Sequence, residues 1–137
     1  MSFTEKTRFL FNIQKGLSSA EYDNQPYAVN MWLVPDQRPV PFKNMIYLGD
    51  GPSDIPCMSI VEKNGEGTGR AIGILNDTDP YRTWALAHDR RASVTIPPDF
   101  TRDGKYALRQ IREAVWRIAD RIRRDIGRDR DIPFSRY

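Results

Sequence analysis

The sequence has one cysteine, one histidine and no long hydrophobic run. With Cys57 as the only thiol, the chain can form neither an internal disulfide nor a multi-cysteine zinc site. Apolar runs such as Met45–Leu48 span only a few residues, whereas a transmembrane helix needs roughly 18 or more. The first residues also lack the apolar core of a secretion signal. We therefore expect a cytoplasmic protein with no membrane partner.

The chain also has little excess charge, and that charge is unevenly distributed. Its net charge is +3, but residues 1–101 carry 10 basic and 12 acidic side chains, whereas residues 102–137 carry 11 basic and 6 acidic ones. Aspartates alternate with the arginines near the C-terminus. This pattern favours a solvated helix end with internal ion pairs over a nucleic-acid surface, so we do not expect a nucleic-acid partner. The arginines are Arg121, Arg123, Arg124, Arg128, Arg130 and Arg136.

The length of 137 residues predicts a single domain, 1–137. The sequence contains no internal repeat. A helix is predicted over Thr4–Leu17, where apolar residues recur at helical spacing and Gly16 marks the end. Residues 18–44 carry four prolines and little periodicity, which indicates an irregular excursion with one short strand near Ala28–Val34. Residues 45–137 then supply the rest of the core.

Three short apolar runs predict the strands of an α/β sheet: Met45–Leu48, Ala71–Leu75 and Ala92–Ile96. The first is continuously apolar, which is typical of a parallel strand buried on both faces. A helix is expected to begin near Asp54 and to stop at Asn64. The fold class is therefore α/β, a partial Rossmann-like parallel sheet of about three strands with flanking helices.

A long amphipathic helix is predicted at the C-terminal end. Six apolar residues follow one another at steps of three or four and form a single stripe. They are Leu108, Ile111, Val115, Ile118, Ile122 and Ile126. Glu113 precedes Arg117 by four residues and Asp120 precedes Arg124 by four, which is the favourable order for ion pairs along a helix.

Two carboxylates follow the first predicted strand. Asp50 comes directly after it between Gly49 and Gly51, and Asp54 lies at the mouth of the next helix. Ligands of parallel sheets bind beyond the carboxyl ends of the strands, and Mg²⁺ prefers one or two carboxylates with water and phosphate oxygens. The alternative is that Asp50 shapes a turn and Asp54 caps the helix.

The segment 45–58, with the sequence MIYLGDGPSDIPCM, resembles the fourth motif of the haloacid dehalogenase superfamily, and most closely its phosphoserine-phosphatase-like branch. The similarity extends over roughly residues 4 to 125. It implies a haloacid dehalogenase-like hydrolase that cleaves a phosphorylated small molecule through an aspartyl-phosphate. In such an enzyme Asp50 and Asp54 would serve the Mg²⁺ site, with Asp54 supporting the metal or orienting a lysine, and Gly51 would lie against the substrate.

The resemblance also implies a lysine that offsets phosphate charge, the third motif of the family. Lys6 opens a helix upstream of the acidic motif, as that lysine does. Lys43 is the alternative, but it precedes the strand and so lies at the end of the sheet opposite Asp50. The catalytic lysine is therefore expected to be Lys6.

The first and second motifs of the family, the nucleophilic Asp-x-Asp and a Ser or Thr, have no counterpart. Asp77–Asp79 follows a strand but reads as a turn, and Asp129–Asp131 has no strand before it. We therefore expect an incomplete domain, the C-terminal portion of a phosphatase-type fold, with little activity alone. The alternative is a non-catalytic binding or regulatory module, or a subunit completed by a partner chain. A homodimer, or an N-terminal half supplied in trans, is the expected partner.

Overall fold

The computed structural model describes residues 3–17, 33, 37–75, 81, 85, 88–89, 91–101, 103 and 105–130. These contain three helices, three strands and two short 3-10 turns. In chain order the elements are helix α1 (Phe3–Lys15), turn Phe42–Asn44, strand β1 (Ile46–Gly49), turn Pro52–Asp54, helix α2 (Ile55–Asn64), strand β2 (Arg70–Ile74), strand β3 (Val94–Ile96) and helix α3 (Lys105–Arg130). The α/β class is confirmed. The predicted strand near Ala28–Val34 and the Asp77–Asp79 turn fall outside the described residues.

The three strands form one parallel sheet in the order β1-β2-β3. Ile46 pairs with Arg70 and Gly49 with Gly73, while Ile72 pairs with Val94. All three predicted strands and the parallel arrangement are confirmed. Within the described residues β1 has β2 as its only neighbour, so it forms an edge of this sheet.

Side chains alternate between the two faces of the sheet, as the pleat requires. On one face, Met45 packs with residues of α1 and α2. On the other, Ile72 and Ile96 pack against Ala107 and Ala114 of α3. The sheet therefore lies between two helical layers, with α1 and α2 on one side and α3 on the other.

Helix α1 ends in a Schellman motif at Gly16, as the glycine predicted. Gly16 has a φ of +68°, and its N–H donates to the carbonyl of Ile13 at 3.1 Å, while Leu17 donates to Asn12 at 2.9 Å. Val40 lies beside this end of α1, and its N–H donates to the carbonyl of Gln14 at 3.3 Å. The end of α1 is thus tied to the segment that leads into β1.

Helix α3 confirms the predicted long helix, but only part of the predicted stripe is covered: Ile111 packs against the core cluster that contains Ile72 and Ile96. Ala107 and Ala114 are buried against the sheet, whereas Val115, Ile122 and Ile126 are exposed. The face of α3 that packs on the sheet therefore combines these two alanines with Ile111. In the part of the chain that is described, no helix has the combination of length and apolar character needed to cross a membrane.

Strand β1 is less buried than its apolar sequence predicted. Leu48 is 39% exposed, and Ile46 and Tyr47 are only partly covered. The prediction of burial on both faces is wrong at Leu48, because within the described sheet this strand has a neighbour on one side only. The described fold therefore covers less of the β1 side chains than their apolar character predicted.

Candidate functional site

The candidate site lies at the carboxyl end of β1, where helix α1 meets the turn before α2. Lys6, in the first turns of α1, places its Nζ 2.7 Å from Oδ1 of Asp54. The same Nζ lies 2.7 Å from the Oγ of Ser53. The predicted lysine and the predicted acidic motif, far apart in sequence, are therefore in direct contact.

The carboxylate of Asp54 accepts four hydrogen bonds. Oδ1 accepts from Lys6 at 2.7 Å and from the hydroxyl of Tyr47 at 2.8 Å. Oδ2 accepts from the backbone N–H groups of Asp50 at 3.1 Å and Gly51 at 3.2 Å. A carboxylate offers about four acceptor positions, so these donors fill it. Asp54 is only 5% exposed and acts as the centre of a hydrogen-bond network.

Glycine at position 49 makes this network possible. A Cβ at Gly49 would lie 2.6 Å from the Cβ of Asp54 and 2.7 Å from its Cγ, closer than real contacts allow. The resemblance implied that Gly51 of this turn lies against a substrate. At Gly49 the group that approaches the backbone is Asp54 itself, whereas a Cβ at Gly51 would meet nothing within 4 Å. The open side of the turn is therefore at Gly51.

The charge of Asp54 is stabilised despite its burial. Burial alone would raise the pKa of Asp54, but the hydrogen bonds from Lys6, Tyr47, Gly51 and Asp50 outweigh it and hold the pKa below its usual value. Burial and the hydrogen bond to Asp54 raise the pKa of Tyr47 well above its usual range. Tyr47 therefore stays a donor at physiological pH, and Asp54 stays an anion.

Lys6 retains capacity for a ligand. An ammonium group has three N–H donors, of which Asp54 and Ser53 accept two. The side chain is 24% exposed, so its charged end is held in place without being enclosed. Asp54 thus fixes a partly exposed cation that has one donor left for a ligand.

Asp50 is exposed at the end of β1, and among the described residues its carboxylate has no hydrogen-bond or ion-pair partner. No group of three or more His, Cys, Asp or Glu side chains able to hold a metal occurs in the described ranges. Lys43, the alternative lysine, lies 3.8 Å from Glu66, beside the turn that leads into the amino end of β1. Of the two lysines, Lys6 is the one that contacts the acidic motif.

Sequence reasoning missed two members of the network, Tyr47 and Ser53. Tyr47 was assigned to the apolar strand, although it is the one residue of Met45–Leu48 that carries a polar tip. Its position two residues before Gly49 was the available signal, since alternate strand residues point to the same face. Ser53 carries no local signal, because its contact with Lys6 depends on the packing of α1.

Comparison with protein-family models, with curated proteins and with solved structures finds no match to this chain. The haloacid dehalogenase resemblance therefore depends on the residues of the segment 45–58 and on Lys6. The family assignment stays a proposal.

Proposed function

We propose that Lys6, Asp50 and Asp54 form the lysine and acidic part of a haloacid dehalogenase-like phosphohydrolase site. In this proposal Lys6 binds and neutralises a phosphate group, and Asp54 orients Lys6. Gly51 borders the space in which the phosphate lies. The substrate class is a phosphorylated small molecule.

The ion pair between Lys6 and Asp54 carries the proposal. The resemblance assigns these two residues from separate segments of the chain, and Nζ of Lys6 lies 2.7 Å from Oδ1 of Asp54. A surface lysine without a role would not be expected to reach a nearly buried carboxylate at a strand end. The four donors around Asp54 favour its orienting role over direct ligation of a metal, since a metal would have to displace one of them.

The exposed carboxylate of Asp50 fits a hard cation such as Mg²⁺. This ion is held by one or two carboxylates, several waters and phosphate oxygens, and the position beyond the end of β1 leaves room for the water and the phosphate. When bound, Mg²⁺ would supply further neutralisation of phosphate charge. Asp50 would be its direct protein ligand in this segment.

Phosphate binding tests the role of Lys6. With inorganic phosphate and Mg²⁺ as the probe, Lys6→Gln should weaken binding by roughly tenfold or more in titration calorimetry, because a charge-assisted hydrogen bond is lost. Lys43→Gln is the matched control, since it removes the same charge beside a different part of the fold. Equal affinities of the two variants would contradict the proposal, provided that both retain the native circular dichroism spectrum.

Metal binding tests the division of roles between the two aspartates. Asp50→Asn should reduce Mg²⁺ affinity more than Asp54→Asn, because Asp50 is exposed and Asp54 is saturated with donors. Asp89→Asn, another exposed aspartate, is the control for nonspecific loss of charge. Unchanged Mg²⁺ binding in the double variant Asp50→Asn, Asp54→Asn would remove the metal from the proposal.

A second candidate function, a subunit completed by a partner chain, is supported by the exposed edge of β1. Leu48 on this strand and Phe9 and Ile13 on α1 are large apolar residues that the described fold leaves exposed. An additional strand and its flanking residues would cover them. Under this candidate the nucleophile comes from the partner, either a second copy or an N-terminal half in trans.

A further inference from the structure

Two groups of basic side chains on α3, which the sequence did not separate, differ in their ion pairs. Three are neutralised along the helix: Arg117 pairs with Glu113 at 2.7 Å, Arg121 with Asp125 at 3.4 Å, and Arg124 with Asp120. This pairing agrees with the prediction of internal ion pairs. The charge of these arginines is therefore compensated within the helix itself.

The second group carries uncompensated charge. Lys105, Arg109, Arg112 and Arg123 are exposed and have no ion pair within the described part of the chain. Lys105, Arg109 and Arg112 follow at steps of four and three, and Trp116 continues the row four residues later. Residues at these spacings share one face of a helix, so the cations and the indole form a single row. From Lys105 to Arg123 this row extends about 27 Å.

Trp116 adds an exposed aromatic ring to the row. It is 64% exposed, although tryptophan is ordinarily among the most covered residues. A groove of about 900 Å³ opens beside it, and the described residues that line it are Lys105, Leu108, Arg109, Arg112, Glu113 and Trp116. Three cations and an accessible aromatic face thus border one concave space.

We propose that this basic row (Lys105, Arg109, Arg112, Trp116 and Arg123) binds single-stranded nucleic acid. The cations contact successive phosphates, and a base stacks on the indole of Trp116. The site lies on the outer face of α3, away from the sheet, and is separate from the proposed phosphohydrolase site. It shares only Arg123 with the terminal arginines considered in the sequence, of which Arg121 and Arg124 are neutralised.

Charge and shape favour this ligand over two others. A second copy of the same row would bring like charges together, which is unfavourable. A bilayer is flat and would leave the groove beside Trp116 empty, whereas a strand of nucleic acid can enter it. Stacking on an accessible aromatic ring with cations alongside is the usual way in which proteins bind single strands.

The test measures fluorescence anisotropy of a labelled oligothymidylate with the whole chain at several salt concentrations. The triple variant Lys105→Gln, Arg109→Gln, Arg112→Gln should weaken binding and reduce the slope of log affinity against log salt by about two, since each phosphate contact on a single strand contributes about 0.7. Trp116→Ala should weaken binding by roughly tenfold with little change in that slope. The matched control is Arg117→Gln, Arg124→Gln, Arg128→Gln, which removes three charges from the same helix.

The proposal holds if the first triple variant and Trp116→Ala lose affinity and the control does not. It is overturned if the chain fails to bind the oligonucleotide at low salt, or if the control loses as much as the first triple variant. Vesicles containing phosphatidylserine form a parallel arm. Binding to vesicles through the same residues without binding to the oligonucleotide would assign the row to membranes and reject the proposal. The substituted side chains are exposed, so circular dichroism should show an unchanged fold.

Discussion

At the scale of single residues, Asp54 is constrained on every side of its carboxylate. Each of its oxygens has two donors, and Gly49 leaves the space that its side chain needs. Replacing it with asparagine would put an NH₂ group opposite two N–H donors or opposite Lys6 and Tyr47. Burying unsatisfied donors in this way costs free energy whichever way the amide turns.

Asp54→Asn should therefore lower the free energy of unfolding by about 2 kcal/mol at neutral pH. Because the folded-state pKa of Asp54 lies below its usual value near 3.8, the stabilisation from its charge is complete above that value. It is lost as the pH falls through the folded-state pKa. Urea denaturation across pH should show a constant gap between the two proteins above about pH 5 that narrows below about pH 4.

Asp50→Asn is the control for this pH dependence, since it removes an exposed carboxylate from the same turn. Its denaturation curves should follow those of the original chain. A gap for Asp54→Asn that persists undiminished at pH 2 would mean that the charge of Asp54 contributes nothing to stability.

At the scale of elements, the sequence predicted where the helices and strands lie along the chain better than it predicted which face of each is buried. Short apolar runs located the strands, and Gly16 and Asn64 located helix ends, because these signals are local. The packing face of α3 was predicted only in part: Ile111 of the stripe packs on the core, but the buried residues Ala107 and Ala114 were missed because large apolar residues dominate a hydrophobic pattern. The same limit applies to the site. Lys6 was found by its place in a motif, but its contact with Ser53 depends on how α1 packs.

Substitutions in α3 distinguish the two possible packing faces. Ala114→Leu should lower the free energy of unfolding by about 1–3 kcal/mol, because it adds volume where the helix contacts the sheet. Val115→Leu, one position along on an exposed flank, should change it by less than about 0.5 kcal/mol. Chemical denaturation of both variants makes the measurement. The reverse order of effects would mean that position 115, and not position 114, contacts the sheet.

At the scale of the whole molecule, exposed apolar surface lies on and near the β1 edge. Strand edges of this kind pair with other strands unless charge or proline prevents it, and β1 contains neither. We therefore expect the purified chain to form a homodimer, or to aggregate, when no other partner is present. This expectation belongs to the second candidate function and does not depend on phosphate binding.

Sedimentation velocity over a range of concentrations measures this association. Leu48→Lys should weaken it, because a lysine on an edge strand discourages pairing, while leaving the fold intact. Phe100→Lys is the control, since it replaces a similarly exposed apolar residue in the loop after β3. A cooperatively folding monomer at high concentration would argue against a pairing edge.

The hydrogen bond between Val40 and the end of α1 has a consequence for protein engineering. Lys6 is positioned by α1, and the chain leaves α1 at Gly16 and returns at Pro39, whose ring would lie 2.9 Å from a Cβ at position 16. Because both ends of the intervening segment are anchored at one place, its length is uncoupled from the placement of Lys6. Loop closure costs only about 0.6 kcal/mol for each doubling of length. A foreign peptide or a reporter domain inserted between Leu17 and Gln37 should therefore leave the lysine in contact with Asp54.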